Sequence, residues 1–246
     1  MDAQVKRKAI EIIATGTIKI VSNYSDNALL INACFVSSDR YKNLKETTGL
    51  STINGIPNFL RLDHEVDVQY TNEQLAEKYE GGALSVIFNN YVVMSVSIVD
   101  GVLEDIYELF IQHFETDLSQ VELDKKVRLA WTNDNLINYL LSEDKVNLKK
   151  PKDMKTEIEE LFMRYKELRI IRHSIVHSDG IISHKNFGIL NDYLNKTPDS
   201  RKNYALLNSS IVGKEKNVIL SINIILSIRQ YLDRFLAYFY KSINNT

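Results

Sequence analysis

Apolar side chains recur every three or four residues along a stretch of this chain that begins near Ala83 and ends at Phe114. The series consists of Val92, Val96, Val99, Leu103, Ile106, Phe110 and Phe114. This spacing matches the α-helical turn of about 3.6 residues, so the side chains share one face. The pattern predicts a long helix that buries this face against other helices.

Proline and glycine are scarce, with three Pro and nine Gly among 246 residues. Turn-rich β-sandwiches and barrels need many of both. The 44% apolar and 25% charged content is typical of a globular protein and not of a disordered one. The net charge of −2 excludes a uniformly basic nucleic-acid coat. We therefore expect a mostly α protein built as a helical bundle.

Three further helices are expected after the first long one. Their predicted ranges are Leu129 to Leu141, about Asp153 to Ser178, and about Lys216 to Ile243. Gly180 can adopt the left-handed conformation that ends the middle one. The last helix carries two apolar stripes, so we expect it to be covered on more than one side, by its own fold or by a second subunit.

The first 82 residues are less regular, because helical stretches mix with short alternating runs. The runs include Ile18, Ile20 and Val66, Val68, Tyr70. Alternation of apolar and other residues is typical of β-strands. We expect an amino-terminal extension of unassigned role at residues 1–82, α-helical with minor β structure, followed by a helical domain at residues 83–246.

Cysteine usage favours a reducing compartment, and the distribution of apolar residues favours a protein that is neither secreted nor membrane-spanning. Cys34 is the only cysteine, so no intramolecular disulfide can form. The amino terminus, MDAQVKRKAIEIIATG, has too short and interrupted an apolar stretch for a signal peptide. Charged and polar residues interrupt the most apolar candidate span, Val218 to Phe239. We expect a cytoplasmic protein without a membrane partner.

Arg172 stands out because it falls on an apolar stripe of the third predicted helix. The other members are Ile158, Leu161, Tyr165, Leu168 and Ile175. An unpaired buried charge costs several kcal/mol or more, so Arg172 should have a carboxylate partner, an interface or a ligand. Asp100 or Glu104, on the first long helix, is the natural candidate for the carboxylate.

Two histidines, His173 and His177, follow Arg172 on the same helix. Imidazole titrates near neutral pH and a guanidinium binds phosphate through two hydrogen bonds, so the cluster has the groups that metal-free phosphodiester cleavage needs. The ribose 2′-hydroxyl would attack the adjacent phosphate, which restricts the chemistry to RNA. A purely structural role for the histidines is the alternative. Zinc binding is disfavoured, because no third ligand accompanies the pair. Residues 145–172 also carry nine basic and five acidic side chains, a surplus of +4 beside the cluster.

The run LRIIRHSIVHSDGII, residues 168–182, resembles the signature of HEPN (higher eukaryotes and prokaryotes nucleotide-binding) domains. In that signature an Arg, a polar residue, three further residues and a His close a long helix. Arg172, His173 and His177 occupy the three defined positions. Ser178, Asp179 and Gly180 are similar to the usual continuation. The resemblance extends over about residues 83–243.

The resemblance implies an all-α domain that forms a homodimer, with two Arg/His motifs facing each other across one cleft. It further implies metal-independent endoribonuclease activity on RNA, without a cofactor. Members of the family act in toxin-antitoxin, phage-defence and RNA-processing settings, often restrained by an antitoxin. The implied catalytic residues are Arg172 and His177, and the implied supporting residues are His173, Ser178 and either Asp100 or Glu104.

Two alternatives stay open. The chain could be a non-catalytic HEPN-like module that binds RNA or another protein, a role that the doubly apolar last helix and the unassigned extension would suit. It could also bind a nucleotide through the same arginine. That second alternative lacks the support of a Gly-rich phosphate loop, since neither GxGxxG nor GxxxxGK[ST] occurs in the chain.

Overall fold

The computed structural model describes residues 2–45, 50–51, 56–62 and 67–245. The described part of the chain is mostly α-helical, as predicted, and contains one pair of two-residue strands. The α-helices are α1 (Ala3–Asn43), α2 (Asn72–Lys78), α3 (Leu84–Phe114), α4 (Gln120–Arg128), α5 (Asn135–Leu141), α6 (Ile158–His177), α7 (His184–Lys196) and α8 (Ile222–Asn245). The strands are β1 (Leu50–Ser51) and β2 (Gln69–Tyr70).

Packing divides the chain into two compact units. The larger unit comprises residues 1–24 and 91–246, and the smaller unit comprises residues 25–90. The boundary predicted at residue 82 falls inside a π-helical turn, Tyr79–Ala83, that joins α2 to α3 without a break. Part of the predicted extension, residues 2–24, therefore belongs to the same unit as the helices that follow.

The core of the larger unit surrounds α6. Phe162 meets Phe235 and Phe239 of α8 edge to face, with ring centroids 5.7 and 6.0 Å apart. Tyr165 stacks on Phe235 at 4.8 Å, and its hydroxyl donates to the carbonyl of Val96 on α3 at 3.0 Å. Aromatic pairs in these geometries stabilise beyond the area that they bury. As a result, α6 is held between α3 and α8.

The first part of α1 packs closely on α3. A Cβ atom placed on Gly16 would lie 2.2 Å from Cγ2 of Val102, so only glycine allows the two backbones to approach this far. About two turns later on α1 and two turns earlier on α3, the amide of Asn23 donates to the hydroxyl of Ser95 at 2.9 Å. Ile18 and Ile20 lie within this helix, so the strand-like interpretation of their spacing was wrong.

The helix predicted from Leu129 to Leu141 is wrong in its first half. Asn133 and Asp134 have φ values of +51° and +59°, which a right-handed helix cannot contain, and α5 begins only after them. The preceding helix, α4, was not predicted. Its sequence signal is the capping box of Ser119 and Glu122, in which each side chain accepts from the other residue's backbone N–H.

The third and last predicted helices are confirmed in position, but both begin later than expected. The helix expected from Asp153 begins at Ile158, after a turn in which the N–H of Met154 donates to the carbonyl of Pro151. The helix expected from Lys216 begins at Ile222, because the residues before it form backbone bridges instead. Both apolar stripes of the last helix supply buried residues, among them Ile228, Phe235, Tyr238, Ile225, Leu232, Leu236 and Phe239.

The smaller unit contains the minor β structure predicted for the amino-terminal part. Leu50 pairs with Tyr70 and Ser51 with Gln69, antiparallel. Tyr70 thus confirms part of the second alternating run, whereas Val68 precedes the strand and Val66 lies outside the described residues. In the same unit the rings of Tyr41 and Tyr79 stack at 5.9 Å. Its buried residues include Ile31, Cys34, Leu75, Ala76, Leu84 and Phe88.

One helical segment of the described chain, residues 72–114, is long and apolar enough to cross a membrane by length and composition alone. It contains α2 and α3. Its apolar residues include the buried series from Val92 to Phe110, and a core helix of a soluble protein meets the same criterion.

A buried ion pair ties α6 to the segment after α7. The Arg164 guanidinium donates to the carboxylate of Glu167 and to the hydroxyl of Thr197. The second carboxylate oxygen of Glu167 accepts from the backbone N–H of Leu206 at 3.4 Å. Burial raises the pKa of Glu167 to about 6, although Arg164 acts in the opposite direction.

This pKa predicts a pH-dependent stability. Folded Glu167 holds its proton more tightly than the unfolded residue, so its contribution to stability is full below the ordinary pKa and is lost as pH rises through about 6. We expect the unfolding free energy of the wild type, minus that of Glu167→Gln, to fall by about 1 kcal/mol between about pH 5 and about pH 7.5. Urea denaturation of both proteins at the two pH values measures it. A difference that stays constant or rises with pH would contradict the assignment.

Candidate functional site

The Arg/His motif, formed by Arg172, His173 and His177, lies at the carboxyl end of α6. The helix ends at His177, and the N–H groups of Ser178 and Gly180 both donate to the carbonyl of Ser174, at 3.0 and 2.9 Å. Gly180 has a φ of +80°, which confirms the left-handed conformation predicted for it. Residues 178–180 thereby close the helix directly after the motif.

Arg172 lies at the edge of the buried stripe and not within it. Leu168, one turn earlier, is buried, whereas Arg172 and Ile175 are half-buried. Its Nε donates to the hydroxyl of Ser97 on α3 at 3.0 Å, and this hydroxyl in turn donates to the carbonyl of Val93 at 2.7 Å. A neutral oxygen therefore orients the guanidinium.

Among the described residues Arg172 makes no direct hydrogen bond or ion pair with a carboxylate, although its charge acts to lower the pKa of Asp100. The carboxylate of Asp100 accepts from Arg169, three residues before Arg172, and that of Glu104 accepts from Trp131. Within the described part of the chain, no hydrogen bond or ion pair involves the Nη atoms of Arg172. The two Nη groups, whose N–H donors can bind phosphate side by side, are thus left available.

Both histidines of the motif are exposed. Their ring centroids are 4.7 Å apart and the ring planes are tilted by 47°. Four positions along a helix place two side chains on one face, which explains the contact. His177 follows Arg172 by five positions, or about 140° around the helix, so the two side chains flank a surface region instead of stacking.

Asp100 is the buried acidic residue behind the motif. It accepts from the hydroxyl of Tyr165 and from Nε of Arg169, both at 2.8 Å. Burial raises the pKa of Asp100, while the Arg169 guanidinium and the Tyr165 hydroxyl act in the opposite direction. This network fixes α6 against α3 one turn before the motif.

Glu104 reaches the same arginine indirectly. It accepts from the indole Nε1 of Trp131 at 2.6 Å, and the Arg169 guanidinium lies 3.7 Å from the centroid of that ring. Burial raises the pKa of Glu104. The two acidic residues therefore meet Arg169 from two directions, one through an ion pair and the other through an aromatic ring.

Sequence reasoning missed Arg169, Tyr165 and Trp131 as members of this network. A signal was present, because Tyr165 and Arg169 are four apart on α6 as Asp100 and Glu104 are on α3. The remaining predicted residue, Ser178, is exposed. It acts through its backbone, since its N–H donates to Ser174 and its carbonyl accepts from Ile181 at 2.7 Å.

A groove of about 490 Å³ runs between α1 and α3 and includes Ser97, the residue that orients Arg172. Its apolar residues are Ile12, Ile98, Val102 and Leu109, and its charged residues are Lys8, Glu11, Lys19 and Asp105. The two signs of charge balance, so the groove itself does not select for anions. Among the described residues, no group of three or more His, Cys, Asp or Glu side chains could hold a metal ion.

Fold and site together define a mostly α-helical protein with a surface Arg/His motif at the end of a core helix. Comparison of the chain with protein-family models, with curated proteins and with solved structures finds no match. The resemblance to HEPN domains therefore stays a prediction that depends on the motif residues.

Proposed function

We propose that this protein is a metal-independent endoribonuclease of the HEPN type, and that Arg172 and His177 carry the reaction. The observation behind the proposal is that the Nη donors of Arg172 are unpaired and that the imidazoles of the motif are exposed. An arginine oriented by Ser97 presents free Nη donors beside exposed imidazoles, at the end of a helix whose other side is buried. A structural arginine would be expected to have its donors paired inside the protein.

In the proposed reaction the ribose 2′-oxygen attacks the adjacent phosphorus and the bond from phosphorus to the 5′-oxygen breaks. The products are a 2′,3′-cyclic phosphate and a 5′-hydroxyl. One proton leaves the 2′-hydroxyl and one reaches the 5′-oxygen, and His177 moves one of them. Arg172 neutralises the charge that develops on the phosphorane. A homodimer with facing motifs would supply one imidazole for each transfer.

The direct test is incubation of the purified protein with total RNA in excess EDTA. We expect cleavage that leaves 2′,3′-cyclic phosphate ends, persists in the chelator and is absent for the Arg172→Ala variant. Cleavage by the wild type only when Mg²⁺ is present, or equal cleavage by Arg172→Ala, would reject the proposal. Toxicity on expression, relieved in the variant, would place the activity in a toxin or phage-defence setting.

A non-catalytic interaction module is the second candidate, and the surface of the smaller unit favours it. Exposed apolar side chains that share one face are typical of protein-binding sites, and Leu29 and Val36 are seven positions apart on α1 and so share a face. Phe59 is 84% exposed, and Leu29 and Val36 are each 69% exposed. A stable protein partner recovered with the chain, together with no cleavage by the wild type, would favour this function. Cleavage together with such a partner would instead fit an antitoxin or another regulator.

A further inference from the structure

A short turn after α7 is attached to the end of the Arg/His motif. The N–H of Val218 donates to the carbonyl of Gly180 at 2.8 Å, and the N–H of Ile182 donates to the carbonyl of Lys216 at 2.9 Å. The turn itself, residues 213–218, is closed by a bond from the N–H of Gly213 to the carbonyl of Asn217 at 2.8 Å. Its position relative to the motif is therefore set by backbone hydrogen bonds.

Two basic groups meet where this turn faces the start of α7. Nζ of Lys216 lies 3.4 Å from Nδ1 of His184 and 4.8 Å from the ring centroid of Phe187. Lys185 and Lys214 are exposed nearby in sequence. Within the described chain none of these four basic side chains takes part in an ion pair, although the acidic Glu215 is adjacent to Lys216 in sequence.

The Lys216 ammonium donates to Nδ1 of His184 and has no carboxylate partner, so a positive charge and a polar ring lie together without a counter-ion, which is a favourable arrangement for an anion. A single acidic side chain could satisfy such a pair inside a protein, and here none does. Phosphates along a single strand of RNA present the matching charge at regular spacing. The Phe187 ring orients the Lys216 ammonium from one side.

We propose that Lys216 and His184 form a phosphate-binding site that holds the RNA strand beside the Arg/His motif. The site lies outside the motif and binds the backbone, so it adds affinity without base preference. The ligand class rests on the proposed function, since RNA is the substrate proposed for the motif. Lys216 and His184 are positioning residues in this scheme and take no part in proton transfer.

Binding of a labelled single-stranded RNA tests the site, measured by fluorescence anisotropy in a His177→Ala background that prevents cleavage. Lys216→Gln suits the test, because the backbone φ of +61° at this position strains both side chains alike. Lys152→Gln is the matched control, an exposed lysine in the segment before α6. We expect Lys216→Gln to weaken binding about fivefold near 0.1 M salt and to reduce the salt slope by roughly 0.7. His184→Gln should weaken binding in the same direction.

Failure of this inference is distinguishable from failure of the proposed function. If the background protein binds RNA, and Lys216→Gln and Lys152→Gln give the same affinity and salt slope, the site is refuted whatever the cleavage result. If Lys216→Gln weakens binding but the wild type never cleaves RNA, the phosphate site stands and the nuclease proposal falls. Absence of RNA binding by the background protein refutes the site.

Discussion

Replacement of His177 by alanine is expected to lower RNA cleavage at least about 100-fold, because general acid–base groups contribute that much or more. The side chain is exposed, so its removal should leave the fold unchanged. Initial rates on a labelled RNA in EDTA measure the effect, and thermal unfolding checks the fold. His113→Ala is the matched control, since it removes an imidazole from the end of α3 and should retain most of the activity.

Replacement of Arg172 should lower the cleavage rate about as much as replacement of His177. Both the geometry and the charge of the guanidinium contribute to this effect. Alanine removes the phosphate contact and should reduce the rate by a similar factor. Lysine keeps the charge and loses the paired donors, so Arg172→Lys should recover only part of the activity. His173→Ala should have a smaller effect than His177→Ala, because His173 supports the neighbouring ring. Equal rates for the wild type, Arg172→Ala and His177→Ala would leave the motif without a catalytic role.

The second large effect is expected at Asp100. Asp100→Ala removes the carboxylate that accepts from Arg169 and one of the two acceptors of the Tyr165 hydroxyl, and it leaves a largely buried guanidinium without its counter-ion. Loss of one partner from a buried ion pair costs about 3 to 5 kcal/mol, and the lower figure applies here because the Arg169 side chain is 27% exposed. A decrease of about 3 kcal/mol lowers the melting temperature of a protein of this size by roughly 10 °C. Denaturant unfolding measures the free energy directly.

The loss of stability caused by Glu104→Ala provides the comparison for Asp100→Ala. It is half-buried and accepts one hydrogen bond, from Trp131, so Glu104→Ala should cost about 1 kcal/mol. The sequence left open which of the two acidic residues supports the motif, and this pair of variants decides it energetically. If Glu104→Ala is as destabilising as Asp100→Ala, then the ion pair with Arg169 is not the main link between α3 and α6.

The prediction of helices succeeded where one wide apolar face was buried. In α3 the periodic residues from Val92 to Phe110 are all buried, and the periodicity identified them directly. In α1 only a narrow line of residues in the larger unit is buried, namely Ala9, Ile13, Gly16 and Ile20. Exposed apolar residues such as Ile18 and Val21 obscure that line. The same helix therefore gave a mixed signal and was interpreted as irregular.

The direct pairing expected between Arg172 and Asp100 or Glu104 is absent among the described residues, because pairing across helices depends on their rotation and register. Each position along a helix turns the side chain by about 100°, so Arg169 and Arg172, three positions apart, differ in direction by about 60°. The two side chains therefore face different neighbours. The apolar stripe placed Arg172 opposite Asp100 or Glu104 and gave no role to Arg169. Packing of Tyr165 between α3 and α8 selects Arg169, and Arg172 is left beside Ser97.

Local sequence alone determined the helical class of this protein, the long helices that contain Asp100 and Arg172, and the glycine that ends the motif helix. These features depend on neighbours within a few turns, whose backbone preferences and apolar spacing are visible in the chain. Tertiary structure alone decided that Arg169 neutralises Asp100, that Arg172 keeps free donors, and that the turn 213–218 meets the end of α6. These contacts join residues far apart in sequence, and their energies depend on how whole helices pack.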